Sequence, residues 1–197
     1  RGIGAAIAVK FAQRHHGARL ALLARSAEHP AHASLRGTLR DTCALVERRG
    51  ATALPLEVDL SDAKALRCAV ATALDALGGL DVLVHNASVL QLDRHATDRR
   101  MDLMYAVNTR ATLVLGQACE AALAASRVGA MVSIAPPIRL GRLEWISAHP
   151  AYTVSKYGMT LATLGMASAS VRASCVWPAR TVATAATERL EAAEPVL

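Results

Sequence analysis

At 197 residues, 53% hydrophobic and 19% charged, the chain can bury one sizeable core and is too apolar to be disordered. Its formal charge is +6, from 22 basic and 16 acidic residues, but the basic ones are scattered. Two Trp, three Tyr and one Phe are too few for a base-stacking platform, so no nucleic-acid partner is expected, and the basic balance suits an anionic cofactor instead.

Taken in chain order, a helix is expected over residues 4–15, a strand over 18–25 (ARLALLAR), a helix over 34–49 and a strand over 51–60 (ATALPLEVDL). There follow a helix over 62–77, a strand over 80–87 (LDVLVHNA), a helix over 98–125, a strand over 129–136 (GAMVSIAP), a helix over 151–169 and a strand over 171–178 (VRASCVWP). Strands that are apolar on both faces and alternate with helices define the α/β class. They predict a doubly wound parallel sheet, Rossmann-like and three-layered (α/β/α), in one domain spanning residues 1–197. Cys43, Cys68, Cys119 and Cys175 are far apart, without a CxxC pair, and are expected as reduced thiols in a cytoplasmic compartment. His29 and His32 lack further ligands nearby, so no metal site is expected, and no apolar run has the length of a membrane span.

In a doubly wound sheet, ligands bind beyond the carboxyl ends of the strands, so the residues there carry the functional reading. Gly2, Ile3 and Gly4 open the first helix, where glycines let a phosphate approach backbone N–H groups at the positive end of the helix dipole. Arg25 ends the strand at 18–25, where an acid often binds a ribose 2′-hydroxyl. A cation there favours a 2′-phosphate, and it reads equally well as an exposed strand-end charge. Asp59, followed by Leu60, either accepts from an adenine amino group or caps the next helix at Ser61. Asn86 and Ala87 either border a cofactor or make a turn. The sharpest local signal is AYTVSKYG, because Tyr152 and Lys156 are four apart and share a helix face. An ammonium beside a phenol favours phenolate and brings the tyrosine toward acid/base work near neutral pH.

Together these residues resemble the short-chain dehydrogenase/reductase family. RGIG looks like the end of its TGxxxGxG turn, and VDL with Asp59, HNAS with Asn86, VNT with Asn108, YTVSK with Tyr152 and Lys156, and WPARTVAT with Pro178, Val182 and Thr184 follow in the family's order. MDLMYAVNTRAT, IAPPIRL and VWPARTVATAA are most similar to its hydroxysteroid dehydrogenase-like protein 2 branch. The resemblance implies that Tyr152 exchanges a proton with the substrate oxygen while a nicotinamide transfers hydride. It implies that Lys156 lowers the phenol's pKa and holds the nicotinamide ribose, and that Asn108 positions a water. Asp59 would contact adenine, Asn86 the backbone beside the cofactor, Val182 the carboxamide and Thr184 an amide or phosphate. Arg1 and Arg25 would bracket a 2′-phosphate. NADP(H) is therefore preferred, with NAD(H) possible in principle, and a small carbonyl or alcohol is the expected substrate. Leu140, Leu143, Trp145 and Ile146 offer an apolar wall that suits a lipid-derived one or serves ordinary loop packing. The resemblance also favours a homodimer or homotetramer through the helices at 98–125 and 151–169, which are apolar on more than one face.

Three departures qualify this. Ala135 and Pro136 stand where the family's active-site serine is expected and cannot donate a hydrogen bond, leaving Ser133 or Ser147 as substitutes. Losing such a donor costs about a hundred- to a thousandfold in rate. His85 stands where the family usually has Asn. The family's first strand would precede Arg1 and its last would follow Leu197, so the chain reads as a fragment of a longer reductase. The alternative is a weakly active or inactive protein that binds a nucleotide or a partner.

Overall fold

The structure, a computed structural model, describes residues 2–26, 28, 37–141, 143–179 and 182–184. Arg1, His29, His32 and the side chain of Trp145 lie outside the described residues. The chain forms two compact units, Arg1–Val58 with Pro178–Leu197, and Asp59–Trp177.

The first unit contains α1 (Gly2–Arg14), β1 (Arg19–Ala24), α2 (Leu39–Glu47) and β2 (Thr52–Glu57). β1 and β2 run parallel, Arg19 opposite Thr52 through Ala24 opposite Glu57. Pro55 sits in β2 opposite Leu22, a place open to proline because, among the described strands, β2 has β1 as its one neighbour and need not donate on its other side. Small residues let the helices close on the strands: Ala8, Ala12, Val46 and Ala51 form a buried cluster with Val9, Leu20 and Leu22 packed against it.

The second unit contains α3 (Ala63–Leu77), β3 (Val82–His85), α4 (Asp98–Met104), α5 (Ala111–Ala125), β4 (Ala130–Ile134), α6 (Leu143–Ala148), α7 (Pro150–Leu164) and β5 (Arg172–Val176). Its parallel sheet has the order β3-β4-β5. Leu66, Met104, Leu123, Met131 and Met159 are its largest fully buried apolar side chains.

Each predicted strand is present within its expected range, and the parallel α/β class is correct. A doubly wound sheet lacking its first strand was expected, and the described strands form two parallel sheets, of two and three strands. The expected helix over 98–125 is interrupted by a π-helical segment, Tyr105–Arg110, and α6 forms where only a loop was expected. Asp62, not Asp59, caps α3, its carboxylate accepting from the backbone N–H groups of Lys64 and Ala65 at 2.9 and 3.0 Å.

Candidate active site

α7 begins with Pro150 in its first turn, where a missing N–H costs nothing, and with His149, whose ring Nδ1 pairs with the Leu92 carbonyl at 2.6 Å. Four residues of α7 then place Tyr152 and Lys156 about 6 Å apart along its axis. Lys156 is buried. Its Nζ donates to the Ile134 carbonyl at 2.7 Å, touches Met159 Sδ at 3.2 Å and lies 5.9 Å from the Trp177 ring. Burial pushes its pKa down to about 8, so it remains mostly an ammonium at neutral pH.

Burial also pushes the Tyr152 phenol above its ordinary value of 10.0, opposed by a hydrogen bond with the Ser88 side chain. A phenol lowered by Lys156 was expected. The direction is reversed here because the phenol is buried, while the Lys156 ammonium is spent on a carbonyl, a sulfur and an indole face.

Asn108 lies in the π-helical segment and is fully buried. A π turn widens the helix and commonly marks a functional site. Asn108 Oδ1 accepts from the Val89 N–H at 2.8 Å, and Nδ2 donates to the Val89 carbonyl at 3.0 Å and to Ser155 Oγ at 2.9 Å. Ser155 Oγ donates in turn to the Tyr152 carbonyl at 2.8 Å. One amide thus ties the segment leaving β3 to the turn of α7 that carries Tyr152. Both its amide protons are committed to protein groups.

Ser133 is fully buried, and its hydroxyl pairs with Thr163 Oγ1 at 2.7 Å. Thr163 lies about 16 Å along α7 from Tyr152, so Ser133 serves here as a core group rather than a partner of the phenol. Ser147 is exposed on α6, with Oγ 3.4 Å from the Glu144 carbonyl. Ala135 is buried and Pro136 has its carbonyl bonded by Thr160 Oγ1 at 2.7 Å.

His85 occupies β3 opposite Ser133 and is 2% exposed. Its Nδ1 meets Thr112 Oγ1 at 2.7 Å, and Thr112 donates its proton to the Asn108 carbonyl at 2.7 Å, which assigns the imidazole proton to Nδ1. Nε2 is buried without a partner among the described residues. Burial, with the nearby Lys156 charge, holds the pKa down at about 3.

The residues expected to hold a dinucleotide fall in both units. In the first, Gly2 has φ +60, a conformation open to glycine, and a Cβ there would lie 3.8 Å from the Thr184 methyl. The opening of α1 and Thr184 therefore meet. Gly2, Ile3 and Gly4 present the unpaired N–H groups of a helix with no acid in its first turn, which fits an anionic phosphate. Arg25 and Val182 are exposed and Pro178 is half-buried. In the second unit, Asp59 Oδ1 accepts from Ser61 N–H at 2.8 Å and Ser61 Oγ at 2.7 Å, Leu60 is buried, and Asn86 and Ala87 are half-buried beside Ser88. No group of three or more metal-ligating side chains occurs among the described residues.

A parallel α/β fold with a Tyr-Lys helix beside a buried Asn and glycines opening the first helix defines a nucleotide-binding dehydrogenase class, and comparison with known proteins narrows it. The family model for short chain dehydrogenases matches residues 1–195, and the chain belongs to that family. It is 38% identical over 195 residues to hydroxysteroid dehydrogenase-like protein 2 of Mus musculus, covering 96% of this chain and 39% of that protein. It thus spans under half the length of that relative. A short chain dehydrogenase from Mycobacterium thermoresistibile has a similar structure, with TM-score 0.88, 37% identity and coverage of 96% of this chain and 68% of that one. A metagenomic short-chain oxidoreductase in complex with NADP aligns with TM-score 0.73 and 30% identity, covering 92% of this chain and 78% of the other.

Proposed function

We propose that the chain is an NADP(H)-dependent oxidoreductase acting between a carbonyl and an alcohol, with Tyr152 as the acid/base. The observation that carries this is Tyr152 and Lys156 one helical turn apart, tied through Ser155 to Asn108, in a chain that belongs to the short chain dehydrogenase family. The nicotinamide supplies hydride when bound. Tyr152 gives its phenolic proton to the substrate oxygen in reduction and takes it back in oxidation. Lys156, as an ammonium, holds a ribose hydroxyl and stabilises the phenolate. Asn108 keeps the β3 exit and α7 in register. Gly2, Ile3, Gly4 and Thr184 bind phosphate, and Arg25 meets the 2′-phosphate. The NADP complex of the 30%-identical oxidoreductase supports that cofactor choice. Exposed Leu140 and Leu143, with half-buried Ile146, suit an apolar, lipid-derived substrate. Exposed Met101, Tyr105 and Leu113, with Val154, Leu161 and Leu164 on α7, suit pairing with a second copy.

A second reading, a nucleotide-binding protein of little or no activity, is favoured by one observation: Ala135 and Pro136 offer no hydroxyl, and Ser133 is engaged with Thr163. A fluorescence titration with NADPH and, separately, NADH tests the first reading. Saturable binding that prefers NADPH and weakens in Lys156→Ala is expected. Equal affinity for the two cofactors contradicts the NADP(H) preference, and binding of neither contradicts the whole assignment.

A further inference from the structure

Basic residues that stand apart in the sequence are brought together at one end of the first unit. His15 and His16 follow α1, Arg48 and Arg49 follow α2, and the Gly17 N–H donates to the Gly50 carbonyl at 2.8 Å, which ties the two turns to each other. Gly17 and Gly50 have φ +76 and +79, the left-handed conformation that turns a chain sharply out of a helix, and a Cβ at Gly50 would lie 3.2 Å from His16 Nδ1. The imidazole thus rests against the glycine. Gln13, His16, Arg48, Arg49 and Gly50 line an open pocket of about 530 Å³, a volume in the range that holds small organic ligands. Arg14 and His15 adjoin it in the chain, and Glu47, which is exposed, is the one acid in residues 10–19 and 45–52. The ion pairs among the described residues, Arg40 with Glu28 and Arg100 with Asp93, involve none of these cations. A helix carboxyl end favours one nearby cation, but five basic residues at two such ends exceed that need, and their mutual repulsion is relieved by a bound anion.

We propose that this pocket binds a phosphomonoester or diphosphate group, at a place separate from the cofactor site. The guanidinium forks of Arg48 and Arg49 match phosphate oxygens two at a time, and the His16 ring and the Gln13 amide add single donors. Gln13 Oε1 already accepts from the Lys10 ammonium at 3.5 Å, which leaves the amide protons for a ligand. The pocket flanks the amino ends of β1 and β2, which begin at Arg19 and Thr52, whereas nucleotides bind beyond the carboxyl ends of such strands. It stands at the far end of α1 from the glycine opening, about 20 Å along the helix axis. The two anion sites therefore fill independently, and the volume leaves room for the group that carries the phosphate.

The test follows the backbone and imidazole signals of the whole chain by proton–nitrogen NMR as inorganic pyrophosphate is added, with sodium chloride of matched ionic strength as the control. The signals of His16, Arg49 and Gly50 should move saturably, with half-saturation below about 1 mM. Arg48→Ala and Arg49→Ala should each weaken this about tenfold, and Arg49→Lys, which keeps the charge but loses the fork, should restore only part of it. Both arginines are exposed, so the variants should fold and keep the affinity for NADPH unchanged. Vesicles of phosphatidylcholine with phosphatidic acid identify the source of the phosphate. Broadening of the same signals by vesicles, without a response to pyrophosphate, assigns a lipid headgroup; the reverse assigns a soluble compound. Shifts confined to Gly2, Gly4 and Thr184 overturn the proposal, because all phosphate binding would then belong to the cofactor opening. Equal movement with chloride, which would mean charge screening alone, overturns it too, as does no movement with either probe. None of these readouts depends on turnover or on the role of Tyr152.

Discussion

His85 shows how one residue sets the pH range of the fold. Its ring is fully enclosed, its Nδ1 proton goes to Thr112 and its Nε2 has no described partner, so protonation in place would bury an unpaired charge. The folded pKa of about 3 lies below the ordinary histidine value of 6.5, so between them the unfolded chain binds a proton that the folded chain refuses. Stability from this residue is complete above the unfolded value and is lost as pH falls toward the folded one. Chemical denaturation should show His85 alone costing about 2 kcal/mol on going from pH 7 to pH 5. His85→Asn should remove about that much of the decline. An equal decline in the variant would place the acid sensitivity elsewhere. Lys156 is perturbed in the same direction, to about 8, and the cost of burying its charge is felt below that pH and relieved as pH rises toward 10.5. The sequence places both residues correctly in β3 and α7, but the environment that reverses the expected direction at Tyr152 depends on where the ammonium turns, which spacing alone does not reveal.

At the scale of elements, the site depends on how closely α7 approaches the π-helical segment. A Cβ at Gly158 would sit 2.6 Å from Thr109 Oγ1 and 2.8 Å from its Cγ2, and Thr109 cannot easily retreat because its hydroxyl donates to the Ser155 carbonyl at 2.9 Å. Gly158→Ala should therefore destabilise by about 1–3 kcal/mol despite alanine's better helix propensity, measured by urea denaturation. A neutral or stabilising result would mean that the two helices part without cost. The periodicity that made these elements legible could not show this junction. A π insertion leaves no compositional mark, so residues 98–125 read as one helix, and α6 is too short, at six residues, for a periodic pattern to emerge. The strands were legible because each is an apolar run bounded by turn or polar residues, and their expected ranges overshoot only at frayed ends.

For the whole molecule, the alternation of strands and helices gave the parallel class, and the orders β2-β1 and β3-β4-β5 match the 3-2 and 4-5-6 runs of a doubly wound sheet. Alternation alone does not give which strands pair, because strand pairing is a long-range property. The proposed site residues fall in both units: the glycine opening and Thr184 belong to one, Tyr152, Lys156 and Asn108 to the other. No helix among the described residues is long and apolar enough to cross a membrane. The central claim, that Tyr152 moves the proton in a hydride exchange between NADP(H) and a carbonyl, is most directly tested by NADPH consumption. The assay offers the purified chain a panel of apolar aldehydes and ketones, with Tyr152→Phe in parallel. The account predicts carbonyl-dependent oxidation of NADPH that falls at least a hundredfold in the variant, which still binds the cofactor. Turnover that survives in Tyr152→Phe would contradict it.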